Sequence, residues 1–366
     1  MNEYNIPALP FPFDVESKQV LKRVAKAHKA LAELNGVAES IPNEVIILNT
    51  LSLQEAKDSS AIENIITTHD ELYSSDSIAK QFTSAAAKEV HNYAASLKEG
   101  FAEVKDTKLL TNNLIIKCQS RLEENNAGFR KLPGTKLKND STGEIVYTPP
   151  QSHDAIVGHM NNLEAFINDS SLSDLDPLVK MAIIHHQFES IHPFYDGNGR
   201  TGRIVNILYL VKEGLLRLPI LYLSRYINQN KGEYYRLLQM TRTSGDWEPW
   251  ILYMLTAIER TSIQTSAMVR GIKELMQRHK IKIRSELGKI YSQDLINNLF
   301  KHPYTKIDFV VEDLNVTRQT ASKYLDQLSQ IRVLTMHKLG KENFYINNEL
   351  YEYLYNAPNL LQFDQE

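Results

Sequence analysis

The sequence contains a single cysteine, Cys118, so the chain cannot form an internal disulfide. Absence of disulfides is typical of proteins in a reducing compartment. The first residues, Met1–Phe13, lack a basic segment followed by a long apolar run, and no signal peptide is predicted there. No uninterrupted apolar stretch approaches the roughly 18 residues of a membrane-spanning helix. These absences predict a cytoplasmic protein without a membrane partner.

A large excess of charge of either sign is also missing. The formal net charge is −3 at pH 7, from 41 basic and 44 acidic side chains. This balance excludes bulk electrostatic attraction to nucleic acid or to an anionic membrane surface. With 366 residues and 42% hydrophobic content, the chain should form two or three domains with ample core. Function must therefore be sought in local motifs.

The densest concentration of chemically active side chains lies in Ile191–Arg203, which reads I-H-P-F-Y-D-G-N-G-R-T-G-R. Pro193 lacks a backbone donor and resists helix, so the preceding apolar helix should end beside His192. Gly197 and Gly199 permit a tight turn and a close approach to a ligand. Apolar residues at helical spacing follow. The stretch therefore predicts helix, tight loop and helix, with loop amides and two arginines placed to bind a polyphosphate.

Other interpretations of this stretch are weaker. Gly197, Gly199 and Gly202 spell G-x-G-x-x-G, but the dinucleotide fingerprint follows a strand, and an amphipathic helix is predicted here. A Walker loop is excluded because no Gly-Lys-Ser/Thr follows. A metal could be suggested by His185, His186, Glu189 and His192, but these do not match the H-E-x-x-H spacing. We interpret His185 and His186 as residues that pack in the core or support the ligand-binding residues. A purely structural loop would leave a histidine, an aspartate and two arginines converging without a reason.

The segment His192–Arg203, H-P-F-Y-D-G-N-G-R-T-G-R, resembles the complete signature of the Fic family. Members of this family transfer a nucleotide monophosphate, usually AMP, to a protein hydroxyl. The resemblance implies a mainly α fold, with a helical catalytic core and a β-hairpin flap. It also implies ATP as a substrate, Mg²⁺ as a cofactor, and a serine, threonine or tyrosine of a target protein as the acceptor.

The resemblance further implies a role for positions of the signature. His192 would take the proton from the target hydroxyl, and Asp196 would bind Mg²⁺. Asn198 and the loop amides would hold the α- and β-phosphates, while Arg200 and Arg203 would neutralise charge on the leaving group. The ATP-binding residues implied within the signature are Asp196, Gly197, Asn198, Gly199, Arg200, Thr201, Gly202 and Arg203.

A second motif lies far upstream, where Ser59, Glu63 and Asn64 spell S-x-x-x-E-N. Taken alone, this pattern indicates a surface turn with local capping. Beside the Fic resemblance it matches the family's inhibitory motif, in which the glutamate pairs with the second arginine of the signature, here Arg203. A carboxylate on that guanidinium would displace the γ-phosphate. The resemblance therefore implies that Glu63 inhibits the enzyme.

Residues 135–148 alternate apolar and polar around a turn at Asn139–Gly143 and predict a β-hairpin. In the Fic family a hairpin at this place is the flap that pairs its edge with the target segment. Two residues of its second strand would lie over the nucleotide. An adjacent tyrosine pair after the signature resembles the adenine-side wall, although core packing would also explain it. The ATP contacts implied outside the signature are Ile145, Val146, Tyr234 and Tyr235.

The C-terminal segment, residues 281–366, has a different pattern of predicted helices and strands. Two helical stretches joined at Asn315-Val316, followed by a hairpin around Gly340, resemble a winged helix-turn-helix, which often reads DNA through its second helix. Residues 285–366 carry eight Lys/Arg and eleven Asp/Glu, whereas a DNA reader should show a basic face. DNA binding is not favoured, and target docking or self-association as a homodimer is preferred. The local basic residues are Arg318, Lys323, Lys338 and Lys341.

Three domains are predicted: an N-terminal helical region at 1–110 with the inhibitory helix, the Fic core at 111–260, and the winged helix-turn-helix at 281–366. The predicted function is a protein adenylyltransferase that Glu63 autoinhibits. One alternative is a hydrolase that removes AMP from protein, with Glu63 orienting water. The other is a DNA-binding regulator with a nucleotide-sensing Fic domain, against which the intact His192 weighs.

Overall fold

The fold is built mainly from α-helices. The helices up to the signature are α1 (Lys18–Ala38), α2 (Glu44–Ile62), α3 (His69–Ser74), α4 (Ala85–Thr107), α5 (Asn112–Glu123), α6 (His153–Asn168) and α7 (Pro177–Ile191). Those that follow are α8 (Asn198–Lys212), α9 (Leu223–Gln229), α10 (Lys231–Ser244), α11 (Glu248–Glu286), α12 (Gln293–Lys301), α13 (Ile307–Leu314), α14 (Arg318–Gln330) and α15 (Asn348–Tyr355). The computed structural model describes residues 4–75, 82–138, 142–339 and 342–356. The predicted mainly α class is confirmed.

The side chain just before the first turn determines where many of the helices begin. A serine, threonine, asparagine or aspartate side chain accepts a hydrogen bond from a first-turn amide and so satisfies a donor that the helix cannot pair. Thr68 forms a full capping box with Glu71 at the start of α3. The N-cap residues that bond in this way before the signature include Ser17, Asn43, Thr68, Ser84, Thr111, Ser152 and Asp176.

The helices α7 and α8 occupy the centre of the fold. Every residue of α7 from Leu178 to Ile191 is buried, and α8 is buried over nearly its whole length. A helix buried around its whole circumference belongs in a core. The helices α4 and α5 pack on α8, and α6 packs on α7. The two helices predicted on either side of the signature loop are therefore confirmed and lie in the protein interior.

Two small antiparallel sheets complete the fold. The first is the predicted flap hairpin, in which Leu137 lies opposite Tyr147 and Lys138 opposite Ile145. The turn at residues 139–141, predicted as part of Asn139–Gly143, lies outside the described residues. The second sheet has the strand order β3-β5-β4 and belongs to the C-terminal part. The strands are β1 (Leu137–Lys138), β2 (Ile145–Tyr147), β3 (Tyr304–Thr305), β4 (Thr335–Leu339) and β5 (Glu342–Ile346).

The C-terminal part contains the helix pair and the hairpin that its sequence predicts. The first helix, α13, ends at Asn315 in the left-handed conformation, and Thr317 caps α14. The strands β4 and β5 form the hairpin, and Lys341 of the predicted basic patch lies outside the described residues. Arg318 forms an ion pair with Asp308. The local basic patch is therefore weaker than the sequence alone suggests.

A single helix of 39 residues, α11, links the catalytic region to the C-terminal part. It packs along α1 and contacts α7, and it continues without a break through residue 260, where the predicted core ends. The connection between the two predicted domains is therefore a continuous helix. Neither α11 nor any other helix within the described ranges is both long and apolar enough to cross a membrane.

The contact between α4 and α8 generates a stability prediction. A Cβ built on Gly100 in α4 would lie 2.7 Å from Leu208 Cδ1 and 3.0 Å from Cys118 Sγ. We expect Gly100→Val to lower the free energy of unfolding by about 1–3 kcal/mol, because overpacking displaces neighbouring side chains and backbone. The control is Gly158→Ala in α6, where a Cβ meets nothing within 4 Å. It should be neutral or stabilising by about 0.5–1 kcal/mol. Chemical denaturation measures both, and a Gly100→Val protein as stable as the parent would contradict the close packing.

Candidate active site

The loop between α7 and α8, residues 192–197, is folded by its own residues; we call it the signature loop. His192 ends α7 in the left-handed conformation (φ 50°), and its amide donates to the Phe188 carbonyl at 2.9 Å. Gly197 also has a positive φ, of 75°, a conformation that glycine adopts without strain. The Asn198 side chain accepts from the Phe194 amide and donates to the Phe194 carbonyl, each at 2.8 Å. Internal hydrogen bonds therefore fix the loop.

His192 is partly exposed at the end of a buried helix. Burial and the guanidinium groups of Arg130 and Arg242 lower the pKa of its imidazole to about 4, against the opposing effect of the Glu63 carboxylate. At neutral pH the ring is therefore uncharged. An uncharged imidazole is the form that can accept a proton from a hydroxyl group.

The N-terminus of α8 offers backbone amides to an anion. The Thr201 amide donates to the Gly197 carbonyl at 2.9 Å, so the amides before it have no partner within the helix. Gly199 lacks a side chain at the place where the Glu63 carboxylate lies, and a Cβ there would overlap its Oε1 atom. Thr201 and Gly202 are buried and support this turn by close packing. The geometry is that of a helix N-terminal anion site, with a carboxylate of the chain itself against it.

Arg203 holds that carboxylate. Its Nη2 donates to Glu63 Oε1 at 2.9 Å, while its Nε and Nη2 donate to Ser59 Oγ and the Ser59 carbonyl at 2.8 and 3.0 Å. The Arg203 side chain is 1% exposed and that of Glu63 is 35% exposed. Burial opposes the charged form of Glu63, but the Arg203 charge and hydrogen bond outweigh it and lower the pKa of the carboxyl. The structure thus brings Ser59, Glu63 and Arg203 together, as the motif predicts.

Asn64 closes this arrangement through its backbone. It follows Glu63 with a positive φ of 62°, a conformation that asparagine tolerates better than most residues with a side chain. The chain leaves α2 at this point, so that Glu63 stands at the C-terminus of the helix. The Asn64 Oδ1 also accepts from Lys231 Nζ at 3.3 Å. This backbone conformation gives a physical reason for an asparagine directly after Glu63.

Arg200 has different partners from those that the resemblance implies. Its Nη1 donates to Glu89 Oε2 and its Nη2 to Glu123 Oε1, both at 2.8 Å, and the side chain is 5% exposed. Burial raises the pKa of the Glu123 carboxyl even though Arg200 lowers it. A phosphate contact by Arg200 would have to compete with both carboxylates. In this arrangement Arg200 ties α8 to α4 and α5.

The structure corrects the expected role of the Asn198 side chain. Both of its polar atoms bond to Phe194, and the residue is 3% exposed, so it cannot hold a phosphate without opening the loop. The side chain was assigned to phosphate because the sequence does not show that an amide can bridge a tight loop. Asn198 can contribute to anion binding only through its backbone amide.

Asp196 fits the predicted role as a magnesium ligand. The residue is exposed, and its Oδ1 accepts from the Gly197 amide at 2.7 Å, which leaves Oδ2 for a cation. Within the described ranges, no group of three or more His, Cys, Asp or Glu side chains is arranged to hold a metal. Magnesium commonly takes one or two carboxylates and completes its shell with water and substrate phosphates. A lone carboxylate beside an anion site suits that mode of binding.

The flap is anchored close to His192. Its strand β2 leaves Ile145 partly buried and Val146 38% exposed. Tyr147, the next residue, is buried, and its hydroxyl donates to the Ser190 carbonyl of α7 at 2.8 Å. The Arg242 guanidinium lies 4.0 Å from the centre of the Tyr147 ring. The two flap residues predicted to contact the nucleotide therefore lie on a strand whose last residue is bonded to Ser190, two positions before His192 in the chain.

The predicted tyrosine wall is only partly available to a ligand. Tyr234 is 1% exposed, its hydroxyl lies 2.8 Å from His185 Nε2, and its ring packs near Trp250. Tyr235 is 45% exposed. The prediction that both rings line the adenine side is therefore wrong for Tyr234, which is a core residue, and it stays a prediction for Tyr235. His185 and His186 are both buried, which agrees with their interpretation as packing residues.

Sequence reasoning missed Arg130 and Arg242 near His192, and it considered Glu189 only as a metal ligand. Arg130 and Arg242 lie far from the signature in the chain, and no spacing pattern relates them to it. Glu189 lies inside the apolar helix α7, one turn before His192, and a charged residue in such a run is a signal that was available. Burial raises the pKa of Glu189 to about 7, although Arg203 lowers it. These groups set the electrostatic surroundings of His192 and Arg203.

Three successive segments of the chain match models of one protein family. Residues 21–102 match the Fic/DOC family N-terminal model, and residues 109–210 match the Fic/DOC family model, which contains the signature. Residues 275–350 match the C-terminal domain model described as protein adenylyltransferase SoFic-like. The chain therefore contains Fic/DOC family domains. The resemblance inferred from the signature is confirmed.

Curated relatives resemble part of this Fic chain. Protein adenylyltransferase fic-1 of Caenorhabditis elegans is 30% identical over 107 residues, which are 29% of this chain and 19% of the relative. Protein adenylyltransferase Fic of Aedes aegypti is 30% identical over 115 residues, which are 31% of this chain and 21% of the relative. The match thus spans about a fifth of the length of these relatives.

Solved structures share the fold. A Fic family protein from Desulfovibrio desulfuricans G20 superposes with a TM-score of 0.59 at 19% identity, covering 92% of this chain and 97% of that one. Fic-1 from C. elegans superposes with a TM-score of 0.53 at 21% identity, covering 68% and 72% of the two chains. At such low identity these likenesses establish the fold alone. The helical Fic architecture with its small sheets is confirmed.

Proposed function

We propose that this Fic protein transfers AMP from ATP to a serine, threonine or tyrosine hydroxyl of a target protein. The observation that carries the proposal is the pairing of an uncharged His192 with the amide-lined N-terminus of α8, one short loop away. The Arg203 guanidinium adds positive charge to the same site. The family match and the relatives named protein adenylyltransferase support this reaction class.

In the proposed reaction His192 takes the proton of the target hydroxyl as its oxygen attacks the α-phosphorus of ATP. The bond from the α-phosphorus to the bridging oxygen breaks, and pyrophosphate leaves with the electron pair. The amides of the signature loop and of the first turn of α8 hold the phosphates, and Arg203 stabilises charge on the leaving group. Mg²⁺, held by Asp196 and the phosphates, would neutralise part of that charge. The target segment would dock on the flap at residues 135–148.

Glu63 acts as a brake in this proposal. It occupies Arg203 and lies against Gly199, where the terminal phosphates of ATP would otherwise approach the anion site. ATP that binds beside it would be displaced, so that its α-phosphorus is wrongly placed for in-line attack. Transfer of this kind depends on positioning, and a displacement of about 1 Å can cost roughly 100-fold in rate.

The first prediction concerns this brake. We expect Glu63→Gly to raise the rate of transfer by about 100-fold, because Arg203 and the anion site become free for the γ-phosphate. Auto-modification with labelled ATP measures the rate. The matched control is Glu44→Gly at the other end of α2, where the glutamate pairs with the exposed Arg217. It should leave the rate unchanged. A Glu63→Gly protein no faster than the parent would refute the inhibitory role.

The second prediction concerns the base. In the Glu63→Gly background, His192→Ala should lower the rate of transfer by about 10²–10⁴-fold, the usual contribution of a positioned base. ATP with Mg²⁺ should still raise the melting temperature of this variant, since the anion site is intact. His159→Ala, on the partly exposed side of α6, serves as the control. Transfer that persists without His192 would mean that another group takes the proton.

A further inference from the structure

Arg130 is a buried cation without an anionic partner among the described residues. Its side chain is completely buried and donates to three backbone carbonyls. Nε donates to His192 at 2.8 Å, and Nη2 donates to Ile191 at 3.4 Å and also to Pro150. Its own amide donates to the Pro193 carbonyl at 2.8 Å. These carbonyls belong to the end of α7, to the signature loop and to the segment that follows the flap. One side chain therefore joins three parts of the candidate site.

The bonds of Arg130 fix the backbone that carries His192. The last carbonyls of a helix have no partner within the helix, and a cation at this end also interacts favourably with the helix dipole. Because His192 adopts a left-handed conformation, its carbonyl turns away from the helical ladder and needs another donor. Arg130 supplies that donor and connects it to Pro150, two residues after the flap. The His153 ring nitrogen Nδ1 in turn lies 3.0 Å from the Arg130 carbonyl.

We propose that Arg130 is a positioning residue for AMP transfer, which holds the His192 turn in register with the flap that receives the target. The inference rests on the proposed function and deepens it. Arg130 does not touch the nucleotide in this role. It keeps the base and the docked hydroxyl at a constant separation through the backbone of residues 191–193 and 150.

The charge of Arg130 gives the role a separate signature. The charged groups facing the His192 ring are Arg130 and Arg242, which disfavour its protonation, and Glu63, which favours it. Removing the charge at position 130 should raise the pKa of His192, whereas a lysine at this position should keep it low. The positional and electrostatic effects can therefore be separated by two substitutions.

The test compares Arg130→Lys and Arg130→Met in the Glu63→Gly background. Both should lower kcat by about 100-fold with little change in the KM for ATP, because the base is misplaced while the anion site is intact. The acid limb of the pH–rate profile should move to higher pH only in Arg130→Met. An Arg130→Lys protein with the parent kcat would overturn the proposal. A loss of kcat fully explained by a smaller fraction of folded protein in the variants would also overturn it.

The proposal can also fail separately from the proposed reaction. If Glu63→Gly shows no transfer at all, the assigned function fails. The His192 pKa, followed by NMR with labelled histidine, then tests Arg130 without any activity. A rise in Arg130→Met but not in Arg130→Lys supports the assignment, and an unchanged value in Arg130→Met overturns it.

A different set of contacts concerns the C-terminal part, which holds the segments on both sides of Glu63. The helix α12 packs on α2, the helix that ends at Glu63. Beyond Glu63, the Tyr304 hydroxyl donates to Asp70 in α3. The Tyr351 ring lies 6.4 and 6.3 Å from the rings of His69 and Tyr73. The inhibitory segment is therefore held between the catalytic core and the C-terminal part.

The C-terminal part contacts α11 closely at a glycine. A Cβ on Gly271 would overlap the Tyr353 hydroxyl of α15, which donates to the Ala267 carbonyl at 3.1 Å. We infer that this docking is the second half of the brake: the C-terminal part keeps α2 and α3 in place, so that Glu63 stays on Arg203. This inference rests on the proposed inhibition by Glu63.

Gly271→Val tests this inference, because the added methyl groups should displace α15. We expect transfer to rise several-fold in the otherwise unchanged protein and not to rise further in the Glu63→Gly background. Amide hydrogen exchange of residues 44–74 should speed up. Gly158→Val, the same change at an open helical position, is the control.

Two results would overturn the inference. One is faster exchange of residues 44–74 with no rise in the rate of transfer. The other is an equal rise in rate with and without Glu63→Gly, which would mean that the effect does not act through Glu63. If Gly271→Val leaves exchange unchanged, Tyr304→Ala replaces it, since it removes the contact with Asp70 directly. The same outcomes then decide. Failure of Glu63→Gly to activate would instead refute the brake itself.

Discussion

The buried charge of Arg203 is the constraint on which the rest of the site depends. The Arg203 side chain is 1% exposed, and an anion beside it is stabilising because an uncompensated buried charge costs several kcal/mol. Glu63 supplies that anion here, and Ser59 adds two oxygen acceptors. The γ-phosphate of ATP would meet the same need. One buried cation therefore makes the chain's own carboxylate and the nucleotide alternatives to each other.

Glu63 lies at the C-terminus of α2. The competition between Glu63 and ATP for Arg203 therefore depends on how strongly α2 is anchored to the rest of the protein. One turn before Ser59, Glu55 is buried and accepts from the Ser224 amide at 3.0 Å and the Tyr93 hydroxyl at 3.2 Å. Burial raises the pKa of this carboxyl to about 7, although the Ser224 bonds lower it. The helix is thus anchored to α4 and α9 through hydrogen bonds and to α12 through packing. The position of Glu63 is a property of the whole N-terminal region.

The sequence predicted the chemistry of the site better than the partners of its side chains. The glycine turn and the end of α7 at His192 follow from local backbone rules, whereas the contact of Glu63 with Arg203 is implied only by the family resemblance. The Asn198 side chain closes the signature loop and the Tyr234 ring packs in the core, and the residue types alone do not distinguish these roles from ligand binding. No sequence motif indicated Arg130, since its proposed role depends on backbone carbonyls that only folding brings together. Tertiary contacts, absent from local sequence, account for each miss.

The exposure of the ion pair indicates where the strength of the proposed brake originates. Glu63 is about one third exposed, so solvent screens part of its attraction to Arg203. The carboxylate excludes ATP most effectively if α2 rarely leaves its place, because the fold then keeps Glu63 beside Arg203. The apparent affinity for productively bound ATP would equal the intrinsic affinity multiplied by the fraction of chains in which α2 has moved away. Control would therefore reside in the anchoring of α2, where contacts distant from the nucleotide can change it.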